Sequence, residues 1–192
     1  MTKTAIEIAP NSALLVIDVQ KGFDDASFWG PRNNPAAEDN IAALMDDWQA
    51  AGRPLVLVRH ASVQPGSVLA ADHPGHAFKD VVEKRSQGAL VVTKTVNSSF
   101  YGTPDLADWL RAQGIGQLVL VGIQTNMCVE TTARMAGNLG YDVLVPLDAT
   151  HTFDLAGPAG LALTADELAT ATAVNLQGGG FARVVTTADL LR

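Results

Sequence analysis

Apolar residues in this chain come in short unbroken runs more often than in alternation with polar ones. Six runs stand out: ALLVID at 13–18, PLVLVRH at 54–60, LVVTK at Leu90–Lys94, QLVLVGI at Gln117–Ile123, YDVLVPL at 141–147 and ARVVT at 182–186. Each has the length of a strand, and continuous Val/Leu/Ile character fits strands covered on both faces, as in a parallel sheet. Between them the apolar spacing becomes helical. Residues 35–51 carry Ile41, Leu44, Met45 and Trp48 on one helical face, and Gly52 follows as a stop. Thr103-Pro104-Asp105 reads as a helix start, with Thr as cap and Pro in the first position, the helix running to about Gln113. A third helix is expected over 126–139, ended by Gly140. A fourth is expected from Thr164, where Glu167 completes a capping box.

Strand and helix in alternation predict an α/β fold: a three-layer, doubly wound, Rossmann-like sandwich around a six-stranded, mostly parallel sheet. The 192 residues suit one domain across 1–192. Two segments, 21–34 and 62–88, are long and rich in Gly, Pro, His and aromatic residues, and both follow strand ends. In open α/β sheets the ligand crevice lies outside the carboxyl ends of the strands. Long loops there shape a pocket or a subunit contact.

Charge and cysteine content narrow the function classes. Thirteen basic against 20 acidic residues leave a net charge of −7, which argues against a nucleic-acid partner, since that needs a basic face. The apolar runs fall far short of the ~20 residues of a membrane span, and residues 1–10 lack the pattern of a secretory leader. No membrane partner and a cytoplasmic location are the expectation. The single cysteine excludes an internal disulfide and agrees with a reducing compartment.

Three chemically capable residues stand where three apolar runs stop: Asp18, Lys94, and Cys128 in the turn after the fourth run. Parallel strands end on one edge, so the three should converge. Cys128 falls in the first turn of the third helix, where the partial positive charge and unpaired N–H groups of a helix start favour a nucleophilic thiolate. Asp18 suits a general base and Lys94 an electrostatic stabiliser. Taken singly, each also has a plain reading: a small buried hydrophobe, a turn-forming carboxylate, a solvated lysine at a strand end. Among the histidines, His60 and His151 follow strands and border the same edge, while His73-Pro74-Gly75-His76 lies in a loop whose Pro and Gly do not present two metal ligands on one helical face. Phe23, Phe28 and Trp29, close after Asp18, can wall an apolar site. Gly178-Gly179-Gly180 follows a helix where a phosphate-cradling loop would precede one.

Three blocks in order, ALLVIDVQKGF at 13–23, VTKTVNSSFYGTPDL at 92–106 and LVLVGIQTNMCVETTARMAGNLGYDVLVPLDAT at 118–150, give the chain its family likeness. It resembles the isochorismatase-like cysteine hydrolases, the group that includes nicotinamidases and N-carbamoylsarcosine amidase. By the stretches at 28–35 and 132–140 it is most similar to the streptothricin-hydrolase-related branch. The resemblance implies an Asp–Lys–Cys triad on Asp18, Lys94 and Cys128. It also implies a non-proline cis peptide at Ile123–Gln124, aiming the N–H groups of Gln124 and Cys128 at an oxyanion. Phe23, Trp29, His60, Phe100 and His151 are then expected to line the pocket. Isochorismatase itself cleaves a vinyl ether without a cysteine, so Cys128 points to the amidase side. The activity so implied is hydrolysis of a C–N bond (amide, lactam or ureido) in a small molecule through a thioester, with no cofactor and no metal, in a homo-oligomer of two or more chains. The Asp-x-His metal motif of nicotinamidases is replaced here by RHAS at 59–62. Two rival readings stay open: a non-catalytic binder of a small ligand, and a zinc amidase using His60, His73 or His76.

Overall fold

The computed structural model describes residues 6–191. The outer ends of the expected 1–192 domain, and half of the stretch read for a leader, lie outside the described residues. Six strands, β1 (Ser12–Ile17), β2 (Leu55–His60), β3 (Leu90–Lys94), β4 (Gln117–Ile123), β5 (Asp142–Pro146) and β6 (Arg183–Val185), form a sheet in the order β3-β2-β1-β4-β5-β6. Every neighbouring pair among them is parallel. A two-residue piece, Thr150–His151, extends the sheet beside the end of β4. Four main helices complete the fold: α1 (Ala37–Ala50), α2 (Leu106–Ala112), α3 (Glu130–Asn138) and α4 (Ala165–Gly178). No described helix is long and apolar enough to cross a membrane.

Why the runs are continuously apolar is visible in the packing. On β1, Leu14 and Val16 face the core beneath α1, where Ile41, Leu44, Met45 and Trp48 are fully buried. Ala13, Leu15 and Ile17 face the opposite core, shared with Leu110 of α2, Ala133 and Ala136 of α3 and Leu176 of α4. Alternate side chains of one strand thus enter two different cores, so neither parity can be polar.

Two helix starts depart from expectation. Thr103 does not cap α2. Its N–H and C=O are both spent on Thr93, at 2.8 and 2.9 Å, which holds it extended ahead of a cis Thr103–Pro104 bond. The cap is Asp105, whose carboxylate accepts from the Asp108 N–H at 2.8 Å. The helix expected over 126–139 opens with a wide π-turn over Thr125–Val129 before α3 begins at Glu130. At the fourth helix the Thr164–Glu167 capping box forms as read.

The chain's winding reverses between β1 and β4. That is the switch point at which open α/β sheets bind ligands. β1 and β4 approach closely there because Gly122 lacks a side chain. Its φ is +124°, and a Cβ at this position would lie 2.0 Å from the carbonyl oxygen of Ile17. Gly122→Ala should therefore cost on the order of 4 kcal/mol or more, since the neighbour is backbone and cannot rotate away. Urea denaturation measures this, and a loss under about 1 kcal/mol would contradict the assigned packing.

Candidate active site

The register of the sheet sets the site. Ile17 lies level with Val58 and Gly122, and His60 level with Lys94. Asp18, His60, Lys94 and the turn after Ile123 therefore open on one edge. Lys94 starts two strands away from Asp18, a backbone gap of roughly 10 Å at ordinary strand spacing. Its four-carbon stem crosses β2 to close that gap. Nζ ends 2.6 Å from Asp18 Oδ2, 3.3 Å from Cys128 Sγ and 3.3 Å from His60 Nδ1. An ammonium has three N–H donors and no acceptor, and these contacts match it donor for donor. His60 Nδ1 must then be the unprotonated ring nitrogen.

Asp18 leaves β1 in a left-handed conformation, φ +53°, unusual for a residue other than glycine. Its N–H still donates to Val58 O at 2.9 Å, and its carbonyl accepts from the Gln20 N–H at 2.8 Å. This tight turn carries the carboxylate to the edge of the sheet. The carboxylate is fully buried, and Oδ1 has no hydrogen-bond partner among the described residues.

Cys128 sits in the π-turn, where the Met127 and Val129 N–H groups both return to the Gln124 carbonyl, at 3.1 and 3.2 Å. The Ile123–Gln124 peptide is cis. Sγ is nearly buried, with Asn97 Oδ1 at 3.8 Å. Burial, and after it the Asp18 carboxylate, push the thiol well above its usual range, and Lys94 only partly opposes them. Cys128 is thereby favoured as a thiol over the thiolate that a position at a helix start favours. The desolvation penalty on a buried anion outweighs a turn's partial charge. Burial works against the Lys94 charge, but the Asp18 carboxylate beside it leads the interactions that hold it above the usual lysine range. Burial and then the Lys94 charge depress His60, so its ring is neutral at physiological pH.

A cavity of about 360 Å³ opens over these groups. Asp18, Cys128, His60, Asn97 and Gln124 form its floor, and Phe23, Phe28 and Trp29 one wall. The two long loops do shape the pocket: 21–34 supplies the aromatic wall, and 62–88 supplies Ser62, Gln64, Ser67 and Leu69.

Two expected lining residues are elsewhere. Phe100 points into the core under α2 and α3 and stacks on Tyr141 at 5.9 Å. His151 is fully buried behind the wall, its Nε2 3.5 Å from Glu38 Oε1 and its ring edge-on to Phe153. Both follow strand or turn ends, but sheet pairing and the Glu38 contact turn them inward. His73 accepts from the Gly75 N–H at 2.9 Å and so caps a turn. The one metal-type grouping among the described residues is Asp18, His60 and Cys128, with ligand atoms within 4.8 Å of one another, and the Lys94 ammonium is bonded to all three.

Sequence reading missed two supports. Gln20 is fully buried and clamps the loops: its amide nitrogen donates to the carbonyls of His60 and His76, both at 3.0 Å, and its oxygen accepts from the His60 N–H at 2.8 Å. Asn97 faces the thiol. The available signal for Gln20 was an amide two residues past a carboxylate, inside an otherwise apolar stretch.

Comparison with known proteins adds an independent line. The family model for the isochorismatase domain matches residues 12–189. Streptothricin hydrolase of Streptomyces noursei is 35% identical over 84% of this chain and 62% of its own length. Ureidoacrylate amidohydrolase RutB of Klebsiella pneumoniae is 33% identical over 81% of this chain and 59% of its own. The chain thus spans about three fifths of each of these two enzymes. A crystal structure of an isochorismatase-family protein from Chromobacterium violaceum superposes with a TM-score of 0.91 and 43% identity, covering 98% of this chain and 96% of that one.

Proposed function

Because the chain belongs to the isochorismatase family, a family of hydrolases, we propose that it is a cysteine-dependent amidohydrolase acting on a C–N bond of a small molecule. The observation that carries this reading is one ammonium, Lys94, bonded at once to a carboxylate and a thiol on the floor of a cavity. The amidohydrolase name of the Klebsiella relative agrees with it.

The resting charges dictate the steps. Cys128 Sγ attacks the substrate carbonyl carbon as its proton passes to Asp18, which spares the site a free buried thiolate. The carbonyl electrons move to oxygen, and the N–H groups of Gln124 and Cys128 hold the oxyanion. Collapse breaks the C–N bond, and Asp18 returns the proton to the leaving nitrogen, leaving a thioester. Water then attacks the thioester as Asp18 takes its proton, and Cys128 leaves and is reprotonated. Lys94 stays an ammonium throughout, and its 2.6 Å contact holds the Asp18 carboxylate in place between proton transfers. A lone nucleophilic thiol also fits a reducing, cytoplasmic setting.

Turnover should appear in a screen of small primary amides, ureido acids and lactams as release of ammonia or amine. The state of the thiol has its own test. With the pKa of Cys128 raised, the thiolate fraction grows about tenfold per pH unit throughout the neutral range. Iodoacetamide labelling of Cys128, followed by mass spectrometry, should therefore keep accelerating through pH 9. A rate that levels off below pH 7 would mean a preformed thiolate and a different role for Asp18.

A further inference from the structure

We propose that the cavity selects small, flat, neutral amides over anionic ones, and that Trp29 sets this preference. The proposal deepens the amidohydrolase reading by naming a substrate class, and it rests on that reading for turnover but not for binding.

Charge is the first argument. The ionisable side chains lining the cavity are Asp18, His60 and Cys128. Among the described residues no Arg or Lys lines it. Among the described residues the cation in reach is Lys94, sealed below the floor with its three donors already committed. An anionic substrate group would lose its water and find no counter-charge, while meeting the Asp18 carboxylate. The acrylate in the Klebsiella relative's name implies a carboxylate, and the described residues of this cavity hold no partner for one. The remaining polar lining (Ser62, Gln64, Ser67, Thr95, Asn97 and Gln124) is neutral. The Asp18 carboxylate, fully buried at the floor, repels an anion above it but not a neutral amide.

Shape is the second. Trp29 ends a one-turn helix, Ala26–Trp29, whose first N–H groups are held by the Asp25 carboxylate. Its indole N–H donates to Gly22 O at 2.9 Å. The rings of Phe23 and Phe153 lie 4.8 and 5.4 Å from it, tilted by 31° and 22°, and the Phe28 ring meets it edge-on at 4.8 Å. The rings of Trp29, Phe23 and Phe153 form a triangle of mutual contacts, with Phe23 and Phe153 6.1 Å apart, which holds the indole in place before any ligand arrives, so a flat ligand can lie against it at little ordering cost. The volume, about 360 Å³, sits at the small end of the ~300–1,000 Å³ typical of ligand pockets.

Ligand-observed NMR titrations on Cys128→Ser separate binding from turnover. Three probes suffice: benzamide, 4-methylpentanamide and succinamate, the last two matched in heavy-atom count and differing in charge. Benzamide should bind tightest, and succinamate on the order of 100-fold more weakly than 4-methylpentanamide. Adding Trp29→Ala should weaken benzamide about tenfold or more, with Trp29→Phe recovering most of it. Succinamate binding as well as its neutral match, benzamide binding no tighter than succinamate (including no binding of either), or indifference to Trp29→Ala would each overturn the proposal. If the ranking holds while the wild type hydrolyses none of the three, the binding preference stands and the hydrolase reading alone is in difficulty.

Discussion

Cys128→Ala and Cys128→Ser should each lower kcat by about 10⁴-fold or more while changing stability by no more than about 1 kcal/mol. The activity loss follows from the covalent route. Without sulfur no thioester forms, and a serine hydroxyl in the same place offers Asp18 a far weaker acid to deprotonate. The small stability change follows from packing. Cys128 fills little volume, and its contacts with Lys94 at 3.3 Å and Asn97 at 3.8 Å use sulfur, a weak donor and acceptor. Single-turnover kinetics beside urea denaturation checks both halves. An active Cys128→Ala protein would end the nucleophile assignment, whereas an inactive but unfolded one would say nothing about chemistry. For that reason the Ser variant, which keeps a hydrogen-bonding group beside Lys94, belongs in the same experiment.

Lys94→Met should abolish activity by at least about 10³-fold and also destabilise the fold by about 3–5 kcal/mol. The two losses share a cause. Asp18 and Lys94 are both fully buried, 2.6 Å apart, so methionine leaves a carboxylate in the interior with neither water nor a cation. That carboxylate must bind a proton or weaken the fold, and once protonated it cannot act as a base. Asp18→Asn combined with Lys94→Met tests the electrostatic account. The double variant should recover about 2 kcal/mol of the stability lost in Lys94→Met, because no uncompensated charge remains. It should recover none of the activity. A double variant no more stable than Lys94→Met would show that Lys94 contributes by packing its stem and not by its charge.

The two predictions connect through the thiol. Asp18 and Lys94 act on Cys128 in opposite directions, and burial sides with Asp18. In the proposed reaction the proton therefore stays on sulfur until a carbonyl is in place, when Asp18 becomes its acceptor. That arrangement guards the thiol against oxidation and alkylation between turnovers, because both reactions depend on the thiolate.

Much of this site was legible in the chain because strands are encoded locally. A run such as ALLVID announces its own ends, and a charged residue closing a buried run must lie at an edge. Asp18, Lys94 and Cys128 were therefore identifiable without any long-range information, and the parallel order of the runs implied that their ends meet. The family blocks then named the same three residues and the Ile123–Gln124 peptide, which is cis in the structure.

What local pattern cannot specify is which way a side chain turns once distant segments have packed. Phe100 and Trp29 are both aromatic residues in segments that follow strand ends, yet one packs in the core against Tyr141 and the other is held on the cavity wall by the Gly22 carbonyl. His60 and His151 differ in the same way: Gln20 ties the backbone of His60 from 40 residues away, and Glu38 faces His151 inside the protein. The protonation of Cys128 is the extreme case. A pKa sums burial by many neighbours with the placement of two charges from other strands, so it exists only in three dimensions. The one-dimensional pattern was enough to name three residues that meet and the edge they share. Their distances, their charge states and the shape of the cavity above them are properties of contacts between segments far apart in the chain, and tertiary packing alone decided those.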